Sequence, residues 1–234
     1  MSDLQDEQRR IAEVYGSYRD AGHESGKWSP SNPGNAAILQ ERMGMLLRML
    51  RSMDLPPLAS SEILEIGCGA GQVIGELLQH GAEAKSITGL DLLEERLVTA
   101  RAAHPAIRFL HGNASKIPLP DQSFDLVLLF TVFSSILDER LRNAIAIEID
   151  RVLRRGGAVA WYDFRFNNPW NPHVRGIDAR EVASYFPGYS RALRSVTLLP
   201  PLARRLGRAT ATLYPALSRI SLLRSHYLGV LLKK

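Results

Sequence analysis

The stretch from Ile63 to Asp91 constrains this chain more than any other. Ile63, Leu64 and Ile66 form a short apolar run ending in Gly67-Cys68-Gly69-Ala70-Gly71, and Val73, Ile74, Leu77 and Leu78 then recur at helical spacing. That is the pattern of a strand, a tight turn and a helix. A second β-type run, Ser86 to Leu90, closes on Asp91, after which Leu93, Leu97, Val98 and Ala100 resume the helical period. The whole is a βαβ unit ending on an acid, and its parallel strands need the crossover helix between them.

The turn glycines have a physical task. A nucleoside-like ligand lying over strand ends needs the backbone close and needs φ values that side chains forbid. Asp91 lies 20 residues past Gly71, and at the tip of the second strand its carboxylate can accept both hydroxyl hydrogens of a ribose. Two features choose among nucleosides. The dinucleotide fingerprint requires a third glycine in G-x-G-x-x-G, and Gln72 stands where it would fall. Glu65, inside the end of the first strand, would repel a phosphate but favours a cationic or amino-bearing ligand. An NAD(P)-binding oxidoreductase is the competing reading, and these residues disfavour it.

With Glu65, Gly67, Gly69 and Gly71 matching an acid followed by G-x-G-x-G, the chain resembles the class I S-adenosylmethionine-dependent methyltransferases of the small-molecule kind, in its core the ubiquinone and menaquinone type. The resemblance covers about Ser61 to Phe164. It implies an α/β fold: a Rossmann-like three-layer sandwich with a mostly parallel seven-stranded sheet, the last strand running antiparallel beside the sixth. It also implies S-adenosyl-L-methionine as cofactor, S-adenosyl-L-homocysteine as product, and no metal. Its expected contacts are Glu65, Gly67, Cys68, Gly69, Gly71, Asp91, Leu92, Asn113, Ala114 and Phe130. Relatives usually carry an acid at Asn113, accepting from the adenine amino group, and the amide oxygen of Asn113 retains that capacity.

At 234 residues and 45% hydrophobic, the chain can fill one core. Its single cysteine, Cys68, precludes a disulfide framework and fits a reducing compartment. MSDLQDEQRR at the start lacks an apolar signal core, and no run approaches the roughly 18 apolar residues of a membrane span, so a cytoplasmic location is expected. The charge is uneven. After Glu181 there is no Asp or Glu, while Arg191, Arg194, Arg204, Arg205, Arg208, Arg219, Arg224, Lys233 and Lys234 supply +9, leaving −4 for the rest of the net +5. A basic end on an acidic body points to an anionic surface or a lipid-linked substrate.

Residues 1–57 are expected to form a helical cap over the cofactor site. Within it Leu4 to Arg19 is one helix, offering Tyr15 and Tyr18 to a sulfonium, Gly22 to Asn35 is a loop carrying His23 and Trp28, and Ala36 to Met53 is a second helix. Residues 58–234 are the core. Ile107 to Leu110 and Phe124 to Phe130 read as strands, the second buried. Asp138 to Leu153 reads as a helix ended by Gly156 and Gly157. A fifth strand, Ala158 to Phe164, runs into Arg165–His173, where Asp163, Arg165, Asn167, Asn168 and His173 offer polar groups and Trp161, Phe166 and Trp170 offer stacking faces. A sixth strand (Arg191 to Leu199), a basic helical insertion near residues 200–224 and a last strand (His226 to Leu232) complete the chain.

The segment after the fourth strand lacks the Asn- or Asp-Pro-Pro-aromatic signature that clamps planar nitrogens, which argues against nucleic acid as the acceptor. The reading is in-line methyl transfer to a small hydroxylated metabolite, sugar or natural product. Asp163 is the first candidate base, with His173 and His23 next, Asp163 and His173 chosen from their placement at and after the end of the fifth strand and His23 from its place in the N-terminal loop. A non-catalytic nucleoside-binding or membrane-docking protein is the alternative of another class.

Overall fold

The computed structural model describes residues 2–20, 29–169 and 171–234. His23, Trp28 and Trp170, singled out above, lie outside the described residues. In chain order the main elements are α1 (Ser2–Asp20), α2 (Pro33–Arg51), β1 (Ile63–Ile66), α3 (Gln72–Gln79), β2 (Ile87–Asp91), α4 (Glu94–Ala103), β3 (Arg108–His111) and β4 (Phe124–Phe130). They continue with α5 (Glu139–Val152), β5 (Leu153–Phe164), α6 (Ala179–Tyr185), β6 (Ser190–Leu198), α7 (Pro200–Arg205), α8 (Thr210–Leu217) and β7 (Arg224–Leu232).

The strands form a single seven-stranded sheet in the order β3-β2-β1-β4-β5-β7-β6. β1 to β5 are parallel, and β7 lies antiparallel between β5 and β6, with Asp163 opposite Tyr227 and Val196 opposite His226. The expected three-layer α/β sandwich with its antiparallel last strand is therefore the observed fold. The apolar strands explain the layers. Along β1 and β4 alternate residues enter opposite cores: Ile63, Leu126 and Leu128 pack with α2, α3 and α4, while Leu64, Ile66, Val127 and Leu129 pack with α5 and α6. α2 thus belongs to a sheet layer through Met43, Leu46 and Leu47.

Two elements differ from the sequence expectation. α5 stops at Val152, and Gly156 and Gly157 lie within β5. The register slips there, Phe124 pairing with Leu153 and Leu126 with Ala158, and Gly156 takes φ +78° in the slip. The last carbonyls of α5 are satisfied by Gln122 N–H to Arg151 O and Ser123 N–H to Val152 O, so no glycine cap is needed. The basic insertion is two short helices, α7 and α8. Pro200 starts the first, and Gly207 at φ +52° separates them. Leu202, Leu206 and Leu217 pack there against a small cluster of Ile38, Leu198, Ala203 and Tyr214.

Candidate functional site

β1 delivers Glu65 to the carboxyl edge of the sheet, and the following turn bends over it. Gly67 and Gly69 take φ +69° and +53°, and the Gly67 and Cys68 N–H groups both donate to Leu90 O. A Cβ on Gly67 would sit 2.6 Å from Val132 Cγ2, and one on Gly69 2.7 Å from Arg96 Nη2, so side chains there would fill the space beneath the turn. A cavity of about 310 Å³ opens at this point. Its wall includes Glu65, Gly67, Cys68, Gly69, Asp91, Leu92, Asn113, Ala114 and Phe130, all named from the sequence. Gly71 is not on the wall. It takes φ +79° at the start of α3, where its own Cβ would meet His104, so it shapes the turn.

The acids at the two strand tips are used differently. Asp91 Oδ2 accepts from Gly69 N–H at 2.7 Å and Oδ1 from Leu93 N–H at 2.9 Å, so this carboxylate ties the turn to β2. A carboxylate offers about four acceptor positions, so these two bonds leave acceptor capacity for a ligand. Glu65 is 2% exposed, and its Oε2 has no hydrogen-bond partner. Burial pushes its carboxyl well above the usual range, against the pull of Arg42 and with added repulsion from Asp91 and Glu76. A buried carboxylate oxygen with no partner is costly by itself, and a cationic ligand would satisfy it. Asn113 is more committed than expected: its Oδ1 accepts from Ser115 N–H at 2.9 Å.

The sequence reading missed Arg42 and Arg96, both on the cavity wall. Arg42 reaches in from α2, ion-paired to Glu76 at 2.7 Å, its guanidinium 5.3 Å from the Phe130 ring centroid and 5.5 Å from that of Tyr162. A signal existed, since Arg42 interrupts the apolar stripe of α2 four residues from both Ile38 and Leu46. Arg96 lies 5.1 Å over the Tyr15 ring, and nothing in its local sequence marks it. Behind Arg42, His226 stacks on Tyr162 with ring centroids 4.6 Å apart. Burial, helped by Arg42, lowers the His226 imidazole to about 3, so it is neutral.

α1 crosses the cavity. Arg10 Nη2 donates to Ser135 O at 2.6 Å, Leu137 N–H donates to Glu7 Oε1 at 2.5 Å, and Tyr15 Oη lies 3.0 Å from Ser135 Oγ. Gln8, Ile11 and Tyr15 thereby join the wall. Tyr18 hydrogen-bonds to Asn171 instead.

Neither described candidate base lines the cavity. Asp163 is 1% exposed and accepts from Ser134 N–H at 3.0 Å and Phe164 N–H at 2.8 Å. Burial raises its carboxyl to about 6, opposed by those hydrogen bonds. Its role is to anchor the segment after β4, which carries Thr131, Val132 and Ser135 into the wall. His173 is exposed on the surface, its N–H donating to Asn171 Oδ1. The polar groups of the loop after β5 are engaged away from the cavity, Asn167 Oδ1 accepting from Gly176 N–H, Asn171 bonding Tyr18 and Arg165 donating to Ser221 O. Trp161 is fully buried against Phe133 in the core and offers no free face. Cys68 borders the cavity, but burial and the nearby Glu65 and Asp91 push its thiol far up, so it is no nucleophile. Among the described residues, Glu65 and Asp91 are the acids of the wall, and no histidine reaches it.

Residues 64–161 match the family model described as "Methyltransferase domain". The chain is 33% identical over 138 residues to a probable S-adenosylmethionine-dependent methyltransferase of Mycolicibacterium smegmatis, covering 53% of this chain and 49% of that protein. It is 35% identical over 131 residues to a phthiotriol/phenolphthiotriol dimycocerosates methyltransferase of Mycobacterium tuberculosis, covering 54% and 47%. The chain thus spans about half the length of the curated relatives it matches. Among solved structures, the PH0226 protein of Pyrococcus horikoshii superposes with a TM-score of 0.63 at 17% identity, over 94% of this chain and 99% of that one. At such identity the likeness is one of fold.

Proposed function

We propose that this chain, whose residues 64–161 belong to the class I S-adenosylmethionine-dependent methyltransferases, transfers a methyl group to a hydroxylated small or lipid-linked acceptor. The observation that carries the reading is the buried, unpartnered Oε2 of Glu65 in a glycine-cradled cavity. These residues fit S-adenosylmethionine. Glu65 would take its ammonium group, and Arg42, a guanidinium with five donors of which Glu76 uses part, would take its carboxylate. Asp91 would hold the ribose hydroxyls, and Asn113 and Ala114 would border the adenine. A pyrophosphate has no comparable partner beside Glu65 and Asp91, which disfavours a nicotinamide dinucleotide.

When bound, S-adenosylmethionine supplies a methyl group already activated on a sulfonium sulfur. The chain then has to position the acceptor, exclude water and let a proton leave. α1 excludes water, held over the wall by Arg10, Glu7 and Tyr15. Ile11, Val132, Ile136, Leu141 and Ile145 form an apolar side suited to an aliphatic or ring-bearing acceptor. The similarity to a relative named for phthiotriol and phenolphthiotriol substrates supports a hydroxylated lipid as acceptor. The free, buried Cys68 supports a cytoplasmic site of action. Among the described residues no helix is long and apolar enough to cross a membrane.

Calorimetric titration tests the reading. S-adenosylhomocysteine is expected to bind stoichiometrically and NADH not at all, and purified protein should release S-adenosylhomocysteine when offered hydroxylated lipids, sugars or phenols. Binding of NADH in place of S-adenosylhomocysteine would end it.

A further inference from the structure

The connection between β6 and β7 is far longer than an antiparallel pair requires. Leu198 pairs with Arg224, and Leu199 N–H donates to Leu223 O, so the excursion is pinched at its base. His226, two residues into β7, pairs with Phe164 at the end of β5. Residues 199–223 therefore stand on the carboxyl edge of the parallel strands, the edge at which the cavity opens. The inward side of this excursion is packed. Its outward side is not: Leu222 is 81% exposed, Ile220 49% and Leu213 43%. Phe166, at 41%, joins the same tip, because Arg165 Nη1 donates to Ser221 O at 3.1 Å while its guanidinium lies 5.8 Å from the Phe166 ring. Scattered apolar residues on a surface are ordinary, but here two separate chain segments bring theirs together.

The excursion's own charge has one sign, the nearby acid Glu41 of α2 being taken up by Tyr214 Oη and Thr197 N–H. Arg205, Arg208 and Arg219 are exposed, no ion pair engages them among the described residues, and residues 182–234 contain no acid. Leucines at a tip with guanidiniums beside them suit an interface that is apolar within and anionic at its rim. The side chains would enter the acyl boundary while the arginines stay at phosphate level. We infer that this edge docks onto a bilayer bearing anionic headgroups, with the cavity mouth turned toward the lipid. The inference is independent of the methyl-transfer reading, since docking is measured without cofactor or acceptor.

Vesicle flotation of the full chain tests it. The protein should float with phosphatidylcholine vesicles carrying about 30% phosphatidylglycerol, stay behind with phosphatidylcholine alone, and be released by about 1 M salt. The double variant Ile220→Ser/Leu222→Ser should lower the bound fraction by about tenfold or more at an unchanged melting temperature. Arg208→Glu/Arg219→Glu should abolish the preference for anionic vesicles. Absence of flotation overturns the proposal, and so does a leucine variant that floats as well as the parent, which would leave only a solvated basic face. Tighter binding to a short RNA than to vesicles, or light scattering that shows a dimer broken by the leucine variant, would assign the surface elsewhere and likewise overturn it.

Discussion

Replacing Glu65 with Gln should move ligand affinity and stability in opposite directions, and the structure sets both signs. Oε2 of Glu65 has no protein partner and lies on the cavity wall. A hydrogen bond between a buried carboxylate and an ammonium contributes about 1.5–3 kcal/mol, so the amide should weaken S-adenosylhomocysteine binding about 10- to 150-fold. In the unliganded protein the effect reverses. Burial holds the Glu65 carboxyl well above its ordinary value of 4.5. The folded state therefore binds that proton more tightly than the unfolded state, and stability falls as pH rises above about 4.5 and through the folded value. Gln has no such charge to bury. At pH 7.5 the variant should therefore melt above the parent, the gain offset in part by burial of its own amide, with each 1 kcal/mol appearing as about 2–4 °C in a chain of this length. Calorimetric titration and thermal melting of the same preparations check the pair. A dissociation constant within about twofold of the parent, or a lower melting temperature, would refute the assignment of Glu65 as an acceptor held open for a cation.

Asp163→Asn probes the anchor behind the cavity. Burial raises the folded carboxyl to about 6 from its ordinary value of 3.8, so its contribution to stability is fullest below about pH 4 and is lost as pH rises through 6. Urea unfolding across that range should show this slope in the parent and not in the variant. The variant should also be about 1–3 kcal/mol less stable, since its NH₂ must face the N–H of Ser134 or Phe164. Gly67→Ala and Gly81→Ala make a matched pair: both positions have positive φ, but the new Cβ meets Val132 Cγ2 at 2.6 Å in the first and open space in the second. Both should cost about 1 kcal/mol for the left-handed backbone, and binding of S-adenosylhomocysteine should fall only in Gly67→Ala.

Local periodicity carried the βαβ unit, the glycine turn and the placement of Glu65 and Asp91 at adjacent strand tips, because each depends on residues close in sequence: a buried run, a left-handed turn, a helical stripe. It also located the strands that follow, including the continuous apolar run of β4. Tyr15 was expected over the cavity, but periodicity could not say that Arg42 from α2 would join it there, or that Asp163 would point behind the wall while His173 stayed on the surface. Those facts follow from sheet order, which sets β1 between β2 and β4 and brings distant helices over one edge. The 199–223 excursion shows the same division. Its leucines and arginines were legible as composition, but Gly207 breaks the helix they were read as, and only the fold decides which leucines are buried against Tyr214 and which face outward. A side chain's burial depends on what other segments cover it, and that is fixed by contacts between residues far apart along the chain.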